Sequence, residues 1–334
     1  MQKKKGVLGV LILLCLILFC AGMCCGRFQI TFGELAAVLA SRFIDIPVTW
    51  SQNVDNVVWA VRLPRLGGAF FVGASLALSG TVYQGIFQNP LVSPDLLGVS
   101  AGACVGASLA ILNGWPGTVI QILALAGGLV AVALTNVIPH LFRNKSNLML
   151  VLAGIIVSGF FTSAQGLLKY LADPDTQLAL ITFWTMGSLA KVSASDVLMI
   201  MPGMLVCMGI LICLRWRINL LAIGEVEAHS LGVNITALRG ICIVCATVLT
   251  ASSICIAGSV GWIGLVIPHL GRLLVGSDNK RLVPVSIFLG ASFLMLIDTF
   301  ARNLSGTEVP LSILTGFIGA PAFLGLLLRQ KREI

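Results

Sequence analysis

The feature that most constrains this chain is a series of apolar runs, each close to bilayer-spanning length, separated by short clusters of charge, Pro, Asn and Gly. A membrane helix needs roughly 20 apolar residues to cross the hydrocarbon core. Hydrophobic residues make up 57% of the chain and charged residues 10%, and the mean hydropathy is +1.01. Soluble globular domains do not have this balance. With 334 residues there is room for about ten crossings and little else, so the expectation is an all-α polytopic membrane protein forming one domain over residues 1–334.

The first span is expected from Gly6 to Gly26. Its apolar run is too long for a cleaved signal peptide and no clean cleavage site follows. Further spans are expected at 66–87, 96–112, 116–138, 148–168, 197–214, 240–257, 259–274, 282–300 and 309–328. Those at 96–112 and 259–274 are short. Residues 176–190 are uncharged yet brief, which suits a re-entrant or interfacial helix. The ten cysteines lie almost entirely within apolar runs, where they read as small hydrophobes, including the Cys242 and Cys245 pair.

Ten crossings put both termini on one side. Assigning that side to the cytoplasm places most of the 21 lysines and arginines there, in keeping with the positive-inside rule. Arg62, Arg65 and Arg302 fall on the other side, where positive charge is disfavoured and needs a reason.

Several chemistries are excluded. The basic residues punctuate the apolar runs and form no patch interleaved with aromatics, so nucleic acid is not a partner. No Gly-Lys pair exists, hence no P-loop, and active transport would need a separate ATPase. No intramembrane cluster of Asp, Glu or His marks an ion-coupled carrier or a membrane-embedded enzyme, and no cofactor or metal site is read. A secondary carrier is the rival of a different class.

The stretch RLPRLGGAFFVGASLALSGTVYQGIFQNPLVSPDLLGVSAGA at 62–103 resembles the signature of the FecCD family of ABC importer permeases, which serve iron–siderophores, haem and cobalamin. The resemblance continues at GEVEAHSLGVN (224–234), GSVGWIGLVIPHLGRLLVG (258–276) and TGFIGAPAFLGLLL (315–328). It implies the type II importer permease fold, a homodimer or close heterodimer with the pathway at its interface, two cytoplasmic ATP-binding subunits and an extracytoplasmic solute-binding protein. The location implied is the bacterial inner (cytoplasmic) membrane. A ferric siderophore is the expected cargo on family frequency, with haem, cobalamin or an oxyanion as alternatives.

The resemblance also assigns roles. Arg62, Arg65 and Arg302 match arginines that pair with acids on the binding protein, a task suited to the guanidinium fork; headgroup anchoring, or an Arg302–Asp298 pair, is the structural alternative. The cytoplasmic segment 218–238 contains a match to the coupling helix, with Glu225, Val226, Glu227, His229, Leu231 and Gly232 facing the ATPase. Asn89, Leu91 and Asn147 match the cytoplasmic gate, although Asn89 also suits a plain turn before Pro90. Ser158, Thr162 and Gln165 share one helix face, as do Ser312, Thr315, Gly316 and Gly319. These faces match the helices lining the family's pathway, and close helix packing is the other reading. His269, after Pro268, could be a ligand or relay, but with Arg272 on the next turn it reads as structural, capping the helix or bonding carbonyls that the proline frees.

Overall fold

The computed structural model describes residues 6–48, 50–142, 146–221, 234–304 and 306–330, without the side chains at 327, 329 and 330. No strand occurs among them. The helices are α1 (Val7–Cys24), α2 (Phe32–Ala40), α3 (Gln52–Ile86), α4 (Val99–Leu112), α5 (Gly117–Leu141), α6 (Asn147–Leu171), α7 (Gln177–Met186), α8 (Ala194–Leu221), α9 (Ile235–Ala257), α10 (Ile263–Val275), α11 (Asn279–Asn303) and α12 (Leu311–Gln330). Seven of these are long and apolar enough to cross a membrane: α1, α3, α5, α6, α8, α9 and α11. The shorter apolar helices α4, α10 and α12 coincide with the three remaining expected spans, and α7 is the brief helix expected at 176–190.

α3 departs most from expectation. It begins at Gln52, not near 66, and runs for 35 residues, about 52 Å at the α-helical rise and well beyond the hydrocarbon thickness. A π-helical stretch at Val57–Arg62 precedes Pro64, the kind of local irregularity that often marks functional positions. α2 was not foreseen, although its start carries a sequence signal. Thr31 and Glu34 form a reciprocal capping box, with the Thr31 N–H donating to Glu34 at 2.9 Å.

The burial pattern follows lipid exposure. α3 and α9 are mostly buried and form the centre, with α3 packing on α8, α9, α10 and α11. α1, α5, α6 and α8 keep most of their side chains on the outside, as in Leu13, Leu16 and Ile17 of α1, which suits helices facing lipid. One buried apolar cluster extends from Cys15 to Leu311. Helix contacts there are close because small residues meet. An added Cβ at Gly73 would lie 2.3 Å from the Gly290 carbonyl oxygen, and one at Gly102 would lie 2.3 Å from that of Gly127.

Two ends can be distinguished. The start of α3, the ends of α9 and α11 and the start of α12 lie at the end that carries Arg62, Arg65 and Arg302: the Leu311 N–H donates to Gly187, and the Ser188 N–H to Ala257. The ends of α3 and α8 and the starts of α6 and α11 lie at the other. There Asn147 donates to the Ile86 carbonyl at 3.4 Å, and Gln88 to that of Leu221 at 2.7 Å. Asn219 donates to Asp278 at 2.7 Å, tying α8 to the start of α11, and this bond holds the Asp278 carboxyl below the usual range.

Candidate functional site

At the first end the structure brings Arg62, Arg65 and Arg302 into one cluster, with their side chains turned inward. All three are buried. Arg62 donates to the carbonyls of Met23 and Phe28, fastening the chain after α1 to α3. Arg65 lies between two acids. Its Nε donates to Asp298 Oδ1 at 2.9 Å, while Nη1 and Nη2 fork onto Glu308 at 2.7 and 2.9 Å. Arg302 lies 3.3 Å from Asp298 on the next helical turn and donates to the Gly22 carbonyl at 3.3 Å. Asp298 is fully buried, whereas the Glu308 side chain is 31% exposed. Among the described residues, the edge of this cluster open to solvent is therefore the Arg65–Glu308 pair. The acids that balance the arginines come from α11 and the segment before α12, which the sequence alone did not connect to Arg65.

Between the ends lies a second construction. After α3 ends, residues 87–98 turn back into the bundle before α4 begins. Asn89 accepts from the Leu91 N–H at 2.9 Å, closing an Asn-Pro turn, and Leu91 projects outward with 57% exposure. The chain then rises to a short 3-10 turn at Pro94–Leu97. Gly98, at φ +82°, reverses direction into α4. An added Cβ at Gly154 of α6 would lie 2.1 Å from the Leu96 oxygen, and one at Gly98 would lie 3.1 Å from Ser158 Oγ. Thr135 of α5 donates to the Leu97 carbonyl at 3.0 Å. Pro94 packs on Gly264 at the start of α10, whose carbonyl oxygen would lie 1.9 Å from a Cβ at Gly80. Counted from the ends of α3, α5 and α6, these contacts place the turn about 9–16 Å inside the bundle. α4 and α10 thus both begin at membrane depth, as broken helices that line cavities do.

Pro268 lacks an N–H and so frees the Gly264 carbonyl. Gln84 supplies the replacement, its amide donating at 3.4 Å to that oxygen and at 3.1 Å to Val92. Arg272 donates to the oxygen of the same Gln84 side chain and thereby fixes its orientation. This corrects the expectation for His269, which is buried with its ring edge-on to Phe323 at 6.0 Å and makes no such bond. Trp262, two residues before Gly264, has φ +69°, an uncommon conformation for a bulky residue. Gly319 of α12 lies beneath it, where a Cβ would be 2.6 Å from that of Trp262, and Gly316 faces the indole nitrogen.

The two small-residue faces therefore differ in role. Thr315 and Gly319 are buried, with Gly319 seating Trp262, which is close packing; Ser312 and Gly316 are partly exposed. On α6, Ser158 and Gln165 are partly exposed and Thr162 is exposed. The 94–98 turn rests on α6 and Trp262 rests on α12, and the two come together where Pro94 packs on Gly264. Glu225, Val226, Glu227, His229, Leu231 and Gly232 lie outside the described residues. No group of three or more metal-ligating side chains occurs among the described residues.

The chain as a whole is similar to known proteins. The chain is 40% identical over 307 residues to the molybdate import system permease MolB of Haemophilus influenzae, covering 92% of this chain and 90% of that protein. It is likewise 40% identical to a protein of Helicobacter pylori named as an iron chelatin transport system permease, over 84% of this chain and 85% of the relative. Other relatives are named as haem and cobalamin permeases. A solved inward-facing structure described as an ABC transporter of metal-chelate type superposes with a TM-score of 0.87 at 39% identity, covering 97% of this chain and 99% of that one. With residues 13–329 matching the family as a whole, this chain is a multi-pass membrane permease belonging to the FecCD transport family.

Proposed function

We propose that this chain is the membrane-spanning subunit of an ATP-driven importer for a metal chelate, acting as one of two copies with a pair of cytoplasmic ATPases and an extracytoplasmic binding protein. The observation that carries the proposal is that α4 and α10 both begin at membrane depth, one against α6 and the other against α12; in this reading α6, the 94–98 turn, Trp262 and α12 line a groove. A second copy closing over this groove makes a pathway whose walls carry hydroxyls, an amide and glycines. Such walls solvate a bulky solute weakly and release it. A ferric siderophore is taken as the cargo on family frequency alone.

In this reading the end that carries Arg62, Arg65 and Arg302 faces outward and receives the binding protein. Arg65 is the docking contact, because its pair with Glu308 is the accessible edge of the cluster, while Arg62 and Arg302 hold the helix ends behind it. The opposite end, with Asn89, Leu91 and Asn147, is the cytoplasmic gate. The segment containing Glu225, Glu227 and His229 engages the ATPase. Reporter domains fused after Lys145 and after Asp175 should report cytoplasm and exterior, respectively, and the reverse pair of signals would invert this assignment.

The functional test is reconstitution. Proteoliposomes holding the full transporter should accumulate a ferric hydroxamate chelate only with ATP inside the ATPase compartment and with the binding protein supplied. The chain alone should neither hydrolyse ATP nor transport. Uptake driven by a proton gradient with the ATPases absent would establish the secondary-carrier reading instead.

A further inference from the structure

Asp95 has no part in the expectations above, yet it is an acid in the floor of the groove. It sits in the Pro94–Leu97 turn, between the contacts of that turn with α6 and with α10. The residues on either side of it are therefore fixed at membrane depth by Gly154, Ser158 and Gly264. Asp95 itself is exposed. Its hydrogen-bond partner is the Ser100 hydroxyl, in the first turn of α4. Asp95 is in none of the ion pairs that join Arg65 and Arg302 to Asp298 and Glu308.

An ionisable side chain at this depth is costly to maintain without a use. A recess of one charge sign with low-dielectric walls concentrates its field, raising the local concentration of oppositely charged solutes and excluding like-charged ones. From these observations we infer that Asp95 sets the charge selectivity of the pathway, admitting neutral or cationic solute surfaces and opposing oxyanions. The inference rests on the groove being the pathway. A second copy would bring its own Asp95 to the same passage and double the effect. It also divides the cargo classes: a neutral or cationic metal chelate passes, whereas a small dianion such as molybdate meets a fixed negative charge.

The test uses the full-length chain in membrane vesicles with its ten native cysteines in place. Ser158→Cys puts a thiol on the α6 wall beside the turn. Its modification by a trimethylammonium-ethyl and by a sulfonatoethyl methanethiosulfonate is measured by mass spectrometry on the peptide carrying position 158. With Asp95 present, the cationic-to-anionic rate ratio should exceed that of the Asp95→Asn version about tenfold, the low end of what charge focusing in a cleft gives. Asp95→Glu should retain the high ratio, which separates loss of charge from loss of shape. An unchanged ratio in Asp95→Asn would overturn the inference, as would an introduced thiol that reacts only after detergent unfolding. Failure of the importer reading shows separately, as absent ATP-dependent uptake by the Asp95-intact transporter, and leaves the reagent ratio untouched.

Discussion

Asp298→Ala should strongly destabilise the fold, lowering the thermal midpoint of the purified protein by roughly 10 °C or more, because it strips the shared counter-ion from two buried guanidiniums. Removing one member of a buried ion pair typically costs about 3–5 kcal/mol, most of it the charge left behind. Here two arginines lose the same partner. Glu308→Ala should be much milder, since its side chain is 31% exposed and a solvent-reachable pair contributes about 1 kcal/mol or less. Thermal unfolding followed by tryptophan fluorescence in one detergent ranks the two. Equal midpoints for Asp298→Ala and the parent would mean that the cluster is solvated and structurally idle. The same reasoning limits what charge reversal at Arg62 or Arg302 can report, because each holds a helix end as well as lying near the docking edge. Glu308→Gln, which keeps the shape and frees Arg65 from its internal competitor, is the cleaner probe of binding-protein affinity.

The parts of this architecture that depend on composition were legible in the sequence. Apolar run length gave most of the spans, and the two short ones, 96–112 and 259–274, which made the count of ten the weaker part of the reading, belong to helices that begin inside the bundle. Charge asymmetry singled out Arg62, Arg65 and Arg302, which the fold places together. Their acidic partners were not legible, because Arg65 and Asp298 are brought together by packing of α3 against α11 and not by any local spacing. The depth of Asp95 was hidden for a similar reason: a Pro-Asp pair after an Asn-Pro turn looks like a surface loop, and only the approach of Leu96 to Gly154 shows that it is not. Trp262 was hidden because an aromatic residue gives no sign in sequence that its backbone is left-handed. The small residues of α12 were open to two readings, and the position of the Trp262 ring decides between them at Gly319.

Gly154→Ala should be the most damaging methyl group that can be added to α6. The new Cβ would lie 2.1 Å from the Leu96 carbonyl oxygen and 3.2 Å from the Leu97 Cα. These are backbone atoms, so no side chain can rotate away. α6 or the whole 94–98 turn must shift, and overpacking of this kind costs about 1–3 kcal/mol, or more where backbone must move. Gly159→Ala, one and a half turns along the same helix, supplies the control, since nothing lies within 4 Å of its Cβ position. There the change removes a helix-weakening glycine and should be neutral or stabilising by up to about 1 kcal/mol. Gly154→Ala should therefore lower the thermal midpoint by about 5 °C or more, while Gly159→Ala leaves it level or higher. Because the turn also carries Asp95, whatever folded Gly154→Ala protein can be recovered should transport poorly even below its unfolding temperature. Parent-like midpoint and uptake for Gly154→Ala would mean that the turn does not rest on α6, and with it would go the groove floor on which the transport pathway is built.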